Sequence, residues 1–578
     1  MYTYAAVLAT AISVLLFNIQ PKSDSSLVTD LRTNVSYQGI SKNGLDSFLN
    51  IPFGQDTGGL GRFAPPKPYI PAHNTIINAM ASGPICPQVL DTTFPIPTSP
   101  VTNISEDCLN LRITRPSSTL KSSRLPVMVY IYGGGYSTGQ IYDTLYTPDQ
   151  LVLDSVKNGS PVIYAAMNYR LGIFGFANNK ILRQKRSLNV GLRDQRLALE
   201  WIQENIAAFG GDPDRVTIFG ESAGATSVIL QLSAFGGESR PPFQKAMVES
   251  FALGPGFTNE TSGTFMDILQ ASGCTYHDPN SALSLDCLKS LSLESLLQAE
   301  VAVSAKDSFN PIVDGDFIPA APSTLFQTER ISHVPLVIGW NNNDDSFFLP
   351  ASIETEDDTI AFLQSAGLTN TTIHTILNLY PLTEFHGNPA ANHSSQWTRA
   401  SRIGRDLEFT CPSIFFAMHE SSRQMLTHKH RTLKTPPSPP VFLYHLNQAA
   451  FSALLNAEGF PGEGVSHVAD IPYVFDEVSQ FDDKPADEQL AKHVSGSWSR
   501  FANSGQPSSS KGTTIKGWLP AWEEDTVGLL ERAKVMVIGG GRPGLSGLVG
   551  EGNAIANQKL AKRCAFLLGE EVLRDIGL

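Results

Sequence analysis

Clustered positive charge is absent from this 578-residue sequence: no run of Lys or Arg exceeds two residues, and the formal net charge is −13. Such a chain repels phosphate backbones and anionic lipid surfaces, which argues against nucleic-acid binding and electrostatic membrane docking. Metal-ligand spacing is missing too. There is no C-x-x-C pair, no H-E-x-x-H helix and no EF-hand loop, so no metal site is expected. No internal repeat occurs. Beyond residues 5–17 no apolar run is long enough to span a bilayer, and the carboxyl end carries neither an apolar tail nor a prenylation cysteine. Stable membrane insertion of the mature chain is therefore not expected.

What is present is an ordinary globular composition. With 42% hydrophobic and 17% charged residues, global disorder is excluded and a large core can be filled. The length would permit several domains, but large α/β enzymes often form one unit. Residues 5–17 are almost wholly apolar and give way to Gln20, Pro21, Lys22 and Ser23, the length of a signal-peptide core. Residues 1–20 are expected to be a signal peptide. An uncleaved anchor is the alternative, because no Lys or Arg precedes the apolar run and no A-x-A site follows it. Six sequons fit export, at Asn34, Asn103, Asn158, Asn259, Asn370 and Asn392. Six cysteines suit an oxidising compartment, with fifteen pairings open from spacing alone.

Short apolar runs at residues 127–132, 162–167, 216–219, 334–338 and 441–444 are β-branched or aromatic and bounded by Gly, Pro or polar residues, as buried strands are. Between the second and third, Leu197, Trp201, Ile202 and Ile206 recur at helical spacing over residues 195–209, before Gly210 and Gly211. Strand, helix, strand in this order predicts a large, mostly parallel central sheet flanked by helices in a single large domain. The Pro-rich residues 435–440 read as a stiff connection into the last of these strands. The run from Gly539 to Gly544 contains Pro543 and precedes no helix, which argues against a nucleotide loop.

Chemistry concentrates in VTIFGESAGATS, residues 216–227. A strand runs straight into Gly220-Glu221-Ser222-Ala223-Gly224 and then a helix, the context that makes G-x-S-x-G a nucleophile elbow with Ser222 on a strained turn. A serine nucleophile attacking a carbonyl also needs donors for the oxyanion that forms. After the strand at 127–132 come Gly133, Gly134 and Gly135, whose backbone can turn N–H groups toward one point. The expected oxyanion amides are those of Gly134, Gly135 and Ala223.

Further segments carry a resemblance. Gly61-Arg62-Phe63-Ala64-Pro65-Pro66, SEDCLNL at 105–111, Asn168-Tyr169-Arg170, NVGLRDQRLALEW at 189–201 and FGGDP at 209–213 stand in order along nearly the whole mature chain. Together they make it similar to the type-B carboxylesterase, cholinesterase and fungal lipase family. The resemblance implies the α/β-hydrolase fold over residues 21–578 and hydrolysis of carboxylic esters without a cofactor. It also implies a histidine in the loop Gly464-Val465-Ser466-His467, hence His467, and an acid that is usually glutamate. Here the acid segment reads Gly339-Trp340-Asn341-Asn342-Asn343-Asp344-Asp345, placing Asp344 at the glutamate position and Asp345 at a glycine position. Asp344 is favoured and treated as the acid, with Asp345 as an exposed neighbour. The order Ser222, Asp344, His467 is that of α/β-hydrolases.

The resemblance further implies the pairs Cys86 with Cys108, Cys274 with Cys287, and Cys411 with Cys564, and the ion pairs Arg62 with Glu106 and Arg170 with Asp194. Glu221 has two readings: an auxiliary group that stabilises the imidazolium or holds water, or a structural buried carboxylate. The loop at 87–107 contains Pro87, Pro95, Pro97 and Pro100, so no large lid opening is expected. Three roles follow: a secreted esterase on dispersed esters, favoured; an interfacial lipase; and a non-catalytic adhesion protein of the same fold. The expected partner is a small-molecule ester.

Overall fold

Runs of Val, Ile and aromatic residues become strands buried on both faces because helices cover the sheet from both sides. The computed structural model describes residues 25–89, 96, 98–252, 263–275, 278–304, 309–429, 439–481, 484–523, 529–550 and 555–576. The expected signal peptide, the sequon at Asn259 and residues 435–438 lie outside them.

The strands are β1 (Ser25–Asp30), β2 (Val35–Lys42), β3 (Leu45–Pro52), β4 (Ile76–Asn78), β5 (Asn110–Pro116), β6 (Leu125–Ile131) and β7 (Ile163–Met167). They continue with β8 (Gly211–Glu221), β9 (Lys245–Glu249), β10 (Leu336–Asn341), β11 (Val441–Leu446), β12 (Lys534–Ile538) and β13 (Gly544–Gly547). All join one sheet in the order β1-β2-β3-β5-β7-β6-β8-β9-β10-β11-β12-β13, with β4 beside β2. From β7 to β12 every pairing is parallel, whereas β1, β2, β3, β5 and β13 close the edges antiparallel. The parallel centre and its covering helices are as the sequence implies. Strand order doubles back at β6, which lies between β7 and β8, so the chain crosses the sheet there. Ligands of open α/β sheets bind at the carboxyl ends of strands beside such a crossing.

The helices Val190–Asn205, Ala223–Ser233 and Cys411–Lys429 form one covering layer, and Asp149–Lys157, Ile471–Phe475 and Pro485–Ser504 the other. Under the second layer Tyr130, Phe219 and Phe475 pack edge to face and tilted, with centroids 4.9 and 5.2 Å from that of Tyr130. Each such buried ring contributes roughly 1.5–3 kcal/mol by burial alone. Several boundaries differ from expectation, as where the strand expected at 216–219 is Gly211–Glu221. The helix expected from 195 begins at Val190, and the strand expected at 334–338 is Leu336–Asn341.

The three disulfides are Cys86–Cys108, Cys274–Cys287 and Cys411–Cys564. Arg62 grips Glu106 through two bonds of 2.7 and 2.6 Å and donates to the Leu288 and Leu291 carbonyls, pinning the Cys86–Cys108 loop to the base of the Ala282–Ser290 helix. Arg170 and Asp194, both buried, form a two-pronged pair at 2.8 and 2.7 Å. Arg170 also donates to the Ala64 carbonyl at 2.8 Å, but Asp194 is its opposite charge, so loss of one partner strands a buried charge. Among the described residues no helix is long and apolar enough to cross a membrane.

Candidate active site

The carboxyl end of β8 delivers Glu221 and then Ser222, whose backbone stands at φ 58, ψ −127 before the Ala223–Ser233 helix begins. A non-glycine residue there costs about 1–3 kcal/mol and persists only where the surroundings enforce it. They do: a Cβ on Gly224 would lie 2.0 Å from the Ile131 carbonyl oxygen, and one on Gly220 would lie 2.5 Å from the same atom. Glycine at both positions lets β6, β8 and the helix converge, and the Ser222 amide donates to the Glu249 carbonyl at 3.0 Å.

β6 delivers the facing loop. Gly134 and Gly135 adopt φ 94 and 60, and the amides of Gly134, Gly135 and Ala223 have no acceptor among the described residues. The loop is held from behind by Gln88, whose Oε1 accepts from the Gly139 amide and the Thr138 hydroxyl, both at 2.9 Å. Gln88 was not found from sequence, since nothing local ties it to a loop fifty residues on.

β10 and the 464–468 loop bring the next two groups together. The Asn343 amide donates to the Val465 carbonyl (2.9 Å), the Val465 amide to Asn343 Oδ1 (3.1 Å), and Asn341 Nδ2 to the Ser466 carbonyl (3.1 Å). This zipper draws the loops close enough for the short aspartate to reach: Asp344 Oδ1 lies 3.1 Å from His467 Nδ1. Asp344 Oδ2 accepts from Ser250 Oγ at 3.0 Å and the Asn341 amide at 2.6 Å, so its orientation is fixed. His467 is 2% exposed and packs against Phe348 and Phe409, each with its centroid 5.2 Å away. Ser222, His467, Gly134 and Gly135 line one cavity of about 590 Å³. Among the described residues His467 Nε2 has no hydrogen-bond partner, and Glu221 Oε1 lies 3.3 Å from it. Among the described residues no group of three or more His, Cys, Asp or Glu is placed to hold a metal ion.

The sequence matches the family described as "Carboxylesterase family" over residues 33–536. The chain belongs to that family. It is a carboxylic ester hydrolase. A secreted lipase of Arthroderma benhamiae is 38% identical over 569 residues, covering 95% of this chain and 96% of the relative. A Byssochlamys spectabilis protein named as an inactive carboxylesterase-like protein, VdtD, is 37% identical and covers 93% and 94%. The crystal structure of Aspergillus niger EstA superposes with a TM-score of 0.76 at 24% identity, covering 96% of this chain and 99% of that one, a likeness of fold.

The esterase surrounds this cavity with more acid than its sequence motifs reveal. Burial, then the charges of Asp470, Asp344 and Glu249, hold the Glu221 carboxyl well above the usual carboxylate range. Asp345 is 1% exposed and neither of its oxygens finds a partner among the described residues, which corrects the expectation of an exposed neighbour. It turns inward because Gly404, on the Ser395–Arg405 helix, leaves room: a Cβ there would stand 1.7 Å from Asp345 Oδ2. Burial and Glu408 push the Asp345 carboxyl far up. Glu408 sits on a π-turn, Asp406–Thr410, and burial raises it to about 7 against the opposing pull of His467. Such turns re-aim side chains inside a helix, and no sequence pattern marks this one.

Proposed function

We propose that this esterase is secreted and cleaves carboxylic esters through an acyl-enzyme on Ser222, with His467 as general base and Asp344 as orienting acid. The observation that carries this is the His467–Asp344 contact at 3.1 Å in the cavity that Ser222 lines. His467 Nε2 takes the Ser222 proton as Oγ attacks the ester carbonyl, while Asp344 holds the ring and offsets the imidazolium charge. That step needs a Ser222–His467 hydrogen bond, which in unliganded sites is often long and tightens on substrate binding. The amides of Gly134, Gly135 and Ala223 receive the oxyanion. Water activated by His467 then releases the acid and restores Ser222.

Glu221 is the auxiliary group: its Oε1, 3.3 Å from His467 Nε2, is placed to steady the imidazolium as it forms and to hold the incoming water. Residues 1–20 serve as the signal peptide and 21–578 as the carboxylesterase domain. Three disulfides and relatives named as secreted lipases support an extracellular site.

Those lipase relatives favour a second reading, action at an oil surface. The described part of the 87–107 loop opposes it: Ile85 and Ile104 pair, the Ser99 amide donates to Asp143 at 3.0 Å, and Gln140 donates to the Ser99 carbonyl at 3.2 Å. A chain-length series of esters assayed below and above their solubility limits separates the two. We expect saturation below the limit and no jump across it; a sharp rise on passing it would make the protein an interfacial lipase.

A further inference from the structure

One wall of the ester cavity carries a carboxyl that the proposed mechanism does not use. The helix Leu293–Ser304 presents Glu300, Val303 and Ser304, at i, i+3 and i+4, along the cavity. Ser304 is exposed and Glu300 only 5% exposed, so this face runs from the mouth inward. Glu300 Oε1 accepts from the Ile173 amide at 2.7 Å, and its Oε2 has no partner among the described residues. The seat is built for it. Gly172 stands at φ +50, and a Cβ there would lie 1.8 Å from Glu300 Oε1. The Gly172 amide in turn donates at 2.7 Å to the carbonyl of Tyr136, next to Gly135 of the oxyanion loop. The carboxyl's seat is thus tied through Gly172 and Tyr136 to the oxyanion loop, and it shares the cavity lining with Val303 and Phe309.

We infer that Glu300 is a specificity-determining residue, its free oxygen reserved for a hydrogen bond to an additional oxygen, hydroxyl, ether or carbonyl, in the body of the ester substrate. Buried polar atoms are almost always bonded, and one left open in a cavity wall waits for a ligand group. A buttress for Ile173 alone would need only one oxygen. Burial raises this carboxyl to about 8, so near neutral pH it carries a proton to donate. A site built around such a donor discriminates against an ester that lacks the matching oxygen, because binding that ester leaves the donor unpaired. The substrate class is therefore oxygenated esters rather than plain alkyl esters. This rests on the Ser222 esterase reading.

The test has two arms. In one, hydroxyacyl esters are compared with plain acyl esters of equal length; in the other, esters of ether-containing alcohols are compared with those of alkanols. We expect kcat/KM to favour the oxygenated ester by about tenfold in one arm, which identifies the side of the ester that meets Glu300. Glu300→Gln, which keeps both the Ile173 acceptor and a donor, should retain that ratio, and Glu300→Met should bring it to about one. A wild-type ratio near one in both arms overturns the inference whether or not the Met variant folds, and so does a Met variant that keeps the preference. Failure of the esterase reading looks different: no hydrolysis of any ester.

Discussion

Two adjacent acids, Asp344 and Asp345, are both buried, yet of the two only Asp344 bonds the His467 ring. Asp344→Asn should cut kcat/KM by about four orders of magnitude, because an amide cannot offset the imidazolium and favours the wrong tautomer. Asp345→Asn should stay within about tenfold of wild type and be the more stable protein at neutral pH. The sign follows from its raised carboxyl: a group that binds its proton more tightly when folded is fully stabilising below its unfolded value and loses that contribution as pH rises. Kinetics and thermal unfolding of both variants decide it, and the reverse ranking would move the acid to Asp345. Sequence motifs identified the residues that share a site because Ser222, Asp344 and His467 sit in recognisable segments. Gln88, Glu408 and the inward turn of Asp345 were hidden because each acts across space, through a loop, a π-turn and the missing side chain of Gly404.

At the scale of elements, periodicity reveals what is apolar and misses what is polar but buried. The Val190–Asn205 helix starts ahead of the expected 195 because its first turn carries Gly191 and Arg193 and buries the charged Asp194 against Arg170. A search for apolar spacing passes over such a turn. A similar polar contact anchors the short Ile471–Phe475 helix that follows His467. It ends on Asp476 in the left-handed region at φ 57, and burial, then the neighbouring Asp154 charge, pushes Asp476 up to about 8. Asp476 therefore keeps a proton and donates it to Asp154, which Lys157 also holds at 2.6 Å. Because the folded value is raised, this stability is fully present at acid pH and is lost as pH rises through about 8. Asp476→Asn supplies a permanent donor and tolerates a left-handed backbone. Its melting temperature should fall less than that of wild type between about pH 6 and 9; parallel curves would show that the shared proton does not matter.

Over the whole molecule, the sequence conveyed the parallel sheet, the elbow and the order of the site groups, but not the antiparallel edges or the surfaces around them. Sequons show the difference. Asn34, Asn103, Asn370 and Asn392 are exposed, whereas Asn158 is half-buried, accepts from the Thr513 amide at 3.0 Å and sets its Nδ2 against Gly496. A glycan on that nitrogen would break the packing, so peptide mass spectrometry of the exported protein should find Asn158 bare and sugar at exposed sites. Occupancy at Asn158 would mean that the segment around Thr513 packs differently. The central claim is that Ser222 is the one nucleophile, and mass mapping of an organophosphonate adduct tests it most directly. The account predicts one phosphonyl group per chain, on the peptide carrying Ser222, and neither label nor turnover in a folded Ser222→Ala variant. A label on another residue, or near-normal turnover by that variant, would contradict it.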